Sequence, residues 1–110
     1  MEITRAYVKS ILPHRDPEGH KGTFGKVYCL CGAVGYTGAP VLAASAAVRS
    51  GSGLVFLGVP KDIWPIVAVK CDSAMPSPLP SQQGKLALAA EDAVRAQIDG
   101  CDAVLIGCGM

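Results

Sequence analysis

Aromatic and charged residues are scarce in this sequence. Of its 110 residues, 5% are aromatic and 17% are charged, whereas 50% are hydrophobic. The core must therefore consist mainly of Ala, Val, Leu and Ile, a composition that suits helices packed closely on a buried sheet. The formal net charge is only +1 and no basic cluster occurs, which argues against nucleic acid as a partner.

The cysteine patterns of disulfide frameworks and zinc sites are also missing. The five cysteines make an odd number and no secretory leader precedes them, so we expect a reducing, cytoplasmic environment without disulfides. Cys29 and Cys31 alternate with Tyr28 and Leu30, which predicts that both thiols lie on one face of a strand as small apolar groups. A Cys-x-Cys metal site is the less favoured alternative, and we predict no metal site.

Charge is absent from residues 27–48, a stretch long enough to cross a bilayer. Gly32, Gly35, Gly38 and Pro40 interrupt it, and a lipid-exposed segment would leave backbone groups unpaired at these residues. A strand followed by a buried helix explains the same interruptions. We therefore expect no association with a membrane.

The uncharged stretch predicts a strand at 26–31, a glycine-rich turn, and a helix over 41–48 with Pro40 in its first turn. The glycines follow the spacing Gly-x-x-Gly-x-x-Gly, which differs from both the dinucleotide fingerprint and the Walker A loop. Two interpretations remain open. The turn can let a ligand approach the backbone, or it can need small residues only for packing.

Hydrophobic patterning extends along the rest of the chain. A short amphipathic helix is predicted at 4–12, before a polar loop. After the helix at 41–48 we predict a buried strand at 53–60, a short helix at 61–69, an edge strand at 74–79, a helix at 84–98 and a strand at 102–107. This order predicts an α/β fold with a parallel sheet.

Several separated motifs resemble one known family. They are His20-Lys21-Gly22-Thr23-Phe24-Gly25, Gly35-Tyr36-Thr37-Gly38-Ala39-Pro40, Arg49-Ser50-Gly51-Ser52-Gly53-Leu54-Val55 and Ile106-Gly107-Cys108-Gly109-Met110. They are similar to the amino-terminal signature of the NAD(P)H-hydrate dehydratases, which belong to the ribokinase-like superfamily. The resemblance implies a three-layer, ribokinase-like (Rossmann-like) parallel sheet flanked by helices. Residues 1–110 would form the amino-terminal part of one such domain, with an incomplete carboxyl-terminal half.

The resemblance also implies repair of a damaged nicotinamide cofactor. Such a lyase uses ADP or ATP to dehydrate hydrated NADH or NADPH, because a phosphorylated hydroxyl leaves far more readily than hydroxide. In the family, the nucleotide loop and a Gly-Thr-Gly-Asp motif lie in the carboxyl-terminal half, and neither occurs here. The resemblance therefore implies that ADP or ATP and Mg²⁺ bind in that half, and we expect this chain to be inactive alone.

By the same resemblance, this chain carries the substrate side of the site. The implied substrate-binding residues are Gly38, Ala39, Pro40, Gly107 and Gly109, whose backbone N–H groups and small side chains would permit close contact with the dinucleotide. Lys21 and Thr23 are candidate phosphate contacts, although a solvated lysine and a turn hydroxyl explain them as well. No side chain is predicted to act as a catalytic acid or base. Cys108 stands where family members usually have proline.

Two other functions stay open. A ribokinase-like small-molecule kinase would share the fold and the phosphate chemistry. A noncatalytic fragment would instead bind a dinucleotide, or associate through the open edge of its sheet, because an unpaired last strand favours association. We expect a homo-oligomer whose other partner is a small-molecule dinucleotide.

Overall fold

A computed structural model describes residues 1–110. In chain order its elements are α1 (Arg5–Ile11), β1 (Lys26–Leu30), α2 (Gly38–Arg49), β2 (Leu54–Pro60), α3 (Trp64–Lys70), β3 (Met75–Leu79), β4 (Ser81–Gln82), β5 (Lys85–Leu86), a 3-10 turn (Leu88–Ala90), α4 (Glu91–Asp99) and β6 (Ala103–Ile106). No helix combines the length and the hydropathy that crossing a bilayer requires.

Four strands form one parallel sheet in the order β3-β2-β1-β6. Within it, Val27 of β1 pairs with Val55 of β2 on one side and with Ala103 of β6 on the other. Because all four strands run the same way, their carboxyl ends meet at one edge, which we call the carboxyl edge, and their amino ends meet at the opposite, amino edge. The parallel sheet confirms the predicted α/β fold.

Helices cover both faces of this sheet. Cys29 and Cys31 point to the face covered by α2 and α3, where they are fully buried in one cluster with Leu57 and Val67. Tyr28 and Leu30 point to the other face and join a second cluster. Its other members and neighbours are Leu79, Ala90, Phe56, Leu86, Val94, Ile98 and Cys101. The three-layer arrangement and the shared face of the two thiols are thus confirmed.

The predicted helix at 84–98 is too long at its start. The structure has a β-hairpin there, in which Ser81 pairs with Leu86 and Gln82 with Lys85, and α4 begins only at Glu91. Gln83 and Gly84, between the two strands, both have positive φ angles, of 52° and 76°. Such a pair forms the two-residue turn that matches the twist of a hairpin, and this local geometry excludes a helix.

The other predicted elements are present with small changes at their ends. The amino-terminal helix is capped by Thr4, whose hydroxyl accepts a hydrogen bond from Tyr7 N–H at 3.2 Å, but none of its residues is buried. The short helix after β2 begins at Trp64 and has Pro65 in its first turn, as expected. β3 lies at one edge of the sheet, which its prolines predict.

β6 lies at the other edge of the sheet, and none of its residues is buried. The side chains of Val104, Leu105 and Ile106 are 39%, 37% and 63% exposed. In the register with β1, Val104 and Ile106 lie beside Tyr28 and Leu30, while Leu105 lies beside Cys29. Both faces of this edge strand are therefore apolar and open.

Candidate functional site

The glycine-rich turn connects the carboxyl end of β1 to α2. Gly32 has a φ of +90°, and a β-carbon added to it would lie 2.8 Å from Ile63 Cδ1 and 3.0 Å from Pro40 Cγ. Around Gly35 and Gly38, in contrast, an added β-carbon would meet no atom within 4 Å. Gly32 is therefore required for packing, whereas Gly35 and Gly38 border open space at the carboxyl edge.

The loop after β6 returns to this turn. Gly107 N–H donates to the Leu30 carbonyl at 3.1 Å, and Gly32 N–H donates to the Cys108 carbonyl at 3.1 Å. Further along, a β-carbon added to Gly109 would lie 2.6 Å from Tyr36 Cβ and 3.2 Å from Ala39 Cβ. The fold thus brings the Gly107–Gly109 loop against the first turn of α2, although the two segments are far apart in sequence.

Backbone N–H groups are the main donors available at this place. Thr37, at the start of α2, makes no side-chain cap, so the N–H groups of the first helical turn have no partner from that hydroxyl. The amino end of a helix favours anionic or polar ligand groups. Pro40 has no N–H and is buried against Gly32, so it supports the turn from beneath.

Charged side chains are missing from this site. Residues 33–40 and 107–110 include no Asp, Glu, His, Lys or Arg. The polar side chains among them are the hydroxyls of Tyr36 and Thr37 and the thiol of Cys108. Cys108 has a φ of 63°, which is uncommon for a residue other than glycine. These segments offer backbone donors, two hydroxyls and a thiol, but no carboxylate, imidazole or amine.

Lys21 and Thr23 lie away from this site. A β-carbon on Gly53, just before β2, would collide with the Lys21 carbonyl oxygen, which places both residues at the amino edge. The Thr23 hydroxyl accepts a hydrogen bond from His20 N–H at 3.3 Å. A strand of five residues, as β1 is, separates the two edges by about 16 Å. The structure does not bring Lys21 and Thr23 together with the other candidate residues, and their phosphate contact stays a prediction.

The hairpin of β4 and β5 is a part of the site that sequence patterns did not predict. Val34 N–H donates to the Gly84 carbonyl at 2.8 Å, and a β-carbon on Gly84 would lie 2.7 Å from Val34 Cβ. The hairpin therefore covers the beginning of the glycine-rich turn. The dipeptide Gln83-Gly84 between polar residues was the available signal, because glycine is favoured in two-residue hairpin turns.

Comparison with known proteins bears on this geometry. The sequence model of the NAD(P)H-hydrate dehydratase family matches residues 27–110, which include both the glycine-rich turn and the Gly107–Gly109 loop. The chain belongs to this family. It is 38% identical over 109 residues to the bifunctional NAD(P)H-hydrate repair enzyme Nnr of Moorella thermoacetica, a match that covers 98% of this chain and 21% of that protein.

Two solved structures resemble this member of the NAD(P)H-hydrate dehydratase family. One is the ADP/ATP-dependent NAD(P)H-hydrate dehydratase from Bacillus subtilis, co-crystallised with ATP/Mg²⁺. Its TM-score is 0.61 and its identity 35%, over 68% of this chain and 27% of that one. The other is a ribokinase-like superfamily protein from Enterococcus faecalis, with a TM-score of 0.76 over 98% of this chain and 35% of that one. Its 20% identity shows the shared ribokinase-like fold alone.

The chain spans about one fifth of the length of the first curated relatives that it matches.

Two cavities of this dehydratase-family chain lie outside the site. One, of about 510 Å³, is lined by Thr23, Phe24 and Arg15, among others. Arg15 stacks at 4.0 Å from the centre of the Phe24 ring and donates to the Gly51 carbonyl at 3.1 Å. The other, of about 280 Å³, lies between the ends of α2 and α3. Both are nearer the amino edge than the carboxyl edge.

Burial controls the chemistry of the cysteines beneath the site. Desolvation, with smaller contributions from Cys29 and Cys108, raises the pKa of Cys31 from 9.0 to about 12. Burial likewise raises the pKa of Cys29, with a smaller contribution from Cys108. Both thiols therefore stay protonated near neutral pH and are poor nucleophiles. All five cysteines are free.

The raised pKa predicts a loss of stability at alkaline pH. Between pH 9.0 and about 12, an unfolded chain releases the Cys31 proton while the folded chain keeps it. The free energy of unfolding should therefore fall as pH rises, by up to about 1.4 kcal/mol per pH unit for this thiol, and the full stabilisation is present below pH 9. Urea unfolding at several pH values measures the slope. The free energy of unfolding of the Cys31→Ala variant should fall less steeply with pH than that of the wild type. Equal slopes for the two proteins would contradict this account.

Proposed function

We propose that this chain supplies the substrate side of an ADP- or ATP-dependent NAD(P)H-hydrate dehydratase. The observation that carries the proposal is the contact of Gly109 with Tyr36 and Ala39. It joins two of the motifs that resemble the family at the carboxyl edge of a parallel sheet, which is where open α/β folds bind ligands. The names of the matched relatives support the same substrate class.

In this proposal the chain binds and orients the hydrated dinucleotide. The N–H groups of Gly38 and Ala39 donate to polar groups of the ligand, and the open space at Gly35 and Gly38 lets the ligand approach the backbone. Gly107 and Gly109 border the ligand from the neighbouring strand. The chain thus contributes position, and the bound nucleotide supplies the phosphoryl group that activates the departing hydroxyl.

The residues of this chain do not fit Mg²⁺ by themselves. No three His, Cys, Asp or Glu side chains lie together, and Mg²⁺ is held through carboxylates and phosphate oxygens. The Bacillus subtilis relative was co-crystallised with ATP/Mg²⁺, and the match with this chain covers 27% of it. We propose that the nucleotide and the cation bind to the part of the family fold that residues 1–110 do not include.

An activity assay tests the division of roles. The purified chain with hydrated NADPH and either ADP or ATP should not regenerate NADPH, because its glycine-rich turn and Gly107–Gly109 loop carry no acidic or basic side chain and no cation site is present. Recovery of the ultraviolet absorbance of the reduced ring is the measurement. The chain should still bind NADPH in a titration followed by NMR. Nucleotide-dependent turnover by the chain alone, or no binding of NADPH, would contradict the proposal.

A second candidate role is noncatalytic self-association. The open edge of β6, with its exposed Val104, Leu105 and Ile106, favours pairing with a second copy of the chain. We expect a homo-oligomer by size-exclusion chromatography with light scattering, and a shift towards monomer in Leu105→Lys, because a charge on an edge strand opposes pairing. A matched substitution, Leu42→Lys on the exposed side of α2, should leave the mass unchanged. A monomeric wild type would contradict this role.

The free state of all five thiols supports a reducing compartment. We propose a cytoplasmic location on that ground. The same scattered cysteines predict that protein purified without added metal holds no stoichiometric zinc.

A further inference from the structure

The glycine-rich turn needs an external support. It contains Gly32, Gly35 and Gly38, and glycine loses more backbone entropy on ordering than any other residue. A binding site made of such a turn is weakened if the turn must be ordered when the ligand arrives. Within the turn, one backbone hydrogen bond, from Tyr36 N–H to the Ala33 carbonyl at 2.9 Å, closes the loop on itself.

The hairpin of β4 and β5 meets the turn at Val34. Val34 N–H donates to the Gly84 carbonyl at 2.8 Å, and the Val34 side chain occupies the space that a β-carbon on Gly84 would fill. Gly84 also has a φ of 76°, which a side chain would strain. Position 84 therefore requires glycine for two reasons, its backbone conformation and its contact with the turn.

The hairpin is itself fixed to the body of the fold. Ser81 donates a hydrogen bond from its hydroxyl to Asp62 Oδ2, in the connection between β2 and α3. Ala87 N–H donates to the Pro80 carbonyl at 3.0 Å and closes the base of the hairpin. Leu86 packs against the cluster that contains Tyr28 and Leu30. The hairpin that contacts Val34 is thus held in place by its own contacts with the sheet and with the connection after β2.

We infer that this hairpin is a strut that holds the glycine-rich turn in its binding conformation, with Gly84 and Ser81 as positioning residues. The inference rests on the proposed function, because it assigns the strut to binding of the dinucleotide. Neither residue contacts the ligand. Gly84 acts through Val34, and Ser81 acts through the fixed position of the hairpin.

Ser81→Ala and Gly84→Ala test the strut. In the 110-residue chain, each should weaken NADPH binding by about threefold to tenfold. A change of this size corresponds to the net free energy of about one hydrogen bond. Hydrogen exchange of Val34 N–H should become faster in both variants. Ser81→Thr keeps a hydroxyl and should restore both values towards those of the wild type.

Matched controls separate the strut from general destabilisation. Gly51→Ala introduces a side chain at a φ of 103°, at the amino edge, and Ser73→Ala removes an exposed hydroxyl there. Both should leave NADPH affinity and Val34 exchange unchanged, even where Gly51→Ala lowers the melting temperature. Wild-type affinity in Ser81→Ala and Gly84→Ala would overturn the strut and leave the proposed function standing. A wild-type chain that binds no NADPH would overturn the proposed function and the strut's role together.

Discussion

Leu57→Ala is expected to lower the free energy of unfolding by about 2–5 kcal/mol, the range for a large-to-small change in a core that cannot collapse. Leu57 is 0% exposed and lies in β2, with β1 and β3 on either side of it. Its side chain packs beneath α2 and α3 in the cluster that includes Cys29 and Val67. Urea unfolding with a constant m-value measures the change.

Leu42→Ala is the matched control for this substitution. Leu42 lies in α2 and is 73% exposed, so the same change removes little buried area and places a good helix former in a helix. We expect a change within about 0.5 kcal/mol. A loss below about 1 kcal/mol in Leu57→Ala would show that this cluster is not the main core.

Ala39→Leu is expected to weaken NADPH binding by about tenfold or more. Ala39 lies in the first turn of α2 against the Gly107–Gly109 loop, and in the proposed function a leucine there would fill the space that the ligand needs. The stability should change by under about 0.5 kcal/mol, because the position borders the open carboxyl edge. A titration followed by NMR, together with a thermal melt, measures both quantities.

Ala46→Leu makes the same change at an exposed position in the carboxyl-terminal half of α2 and should leave the affinity unaltered. The two interpretations of the turn predict opposite results for Ala39→Leu. A turn that serves only packing would lose stability and keep its affinity. Unchanged affinity would therefore assign Ala39 to packing alone.

Sequence periodicity predicted contacts better than it predicted local structure around residue 86. Leu86, Ala90, Ala93, Val94 and Ile98 recur at helical spacing, and all except Ala93, which is exposed, reach the same cluster beneath α4. Leu86, however, reaches it from a β-strand, because the Gln83-Gly84 turn fixes a hairpin before the helix begins. A four-residue spacing therefore predicts that side chains are buried on the same side, but it does not show whether the backbone between them is a helix or a strand.

The meeting of the two candidate segments could be predicted from sequence, but the residues that support them could not. Order along the chain predicts that the turn after β1 and the loop after β6 both follow strand ends, and parallel strands then bring them together. The pattern of three glycines does not distinguish Gly32, which is closed in by Ile63 and Pro40, from Gly35, which faces open space. That distinction depends on packing by Ile63, in the connection between β2 and α3, and by Pro40 of α2. The position of the hairpin over Val34 depends on the hydrogen bond from Val34 to Gly84, which joins segments distant in sequence.

The position of β6 also determines the order in which the sheet can assemble. Val27 pairs with Val55 at a separation of 28 residues and with Ala103 at a separation of 76 residues. Closing the longer loop costs about 0.9 kcal/mol more in chain entropy. Little buried surface offsets this cost, because no residue of β6 is buried. The first three strands are therefore expected to form the folding nucleus, and β6 to join after the main barrier. During synthesis, this edge of β1 therefore stays unpaired until residues 103–106 have been made.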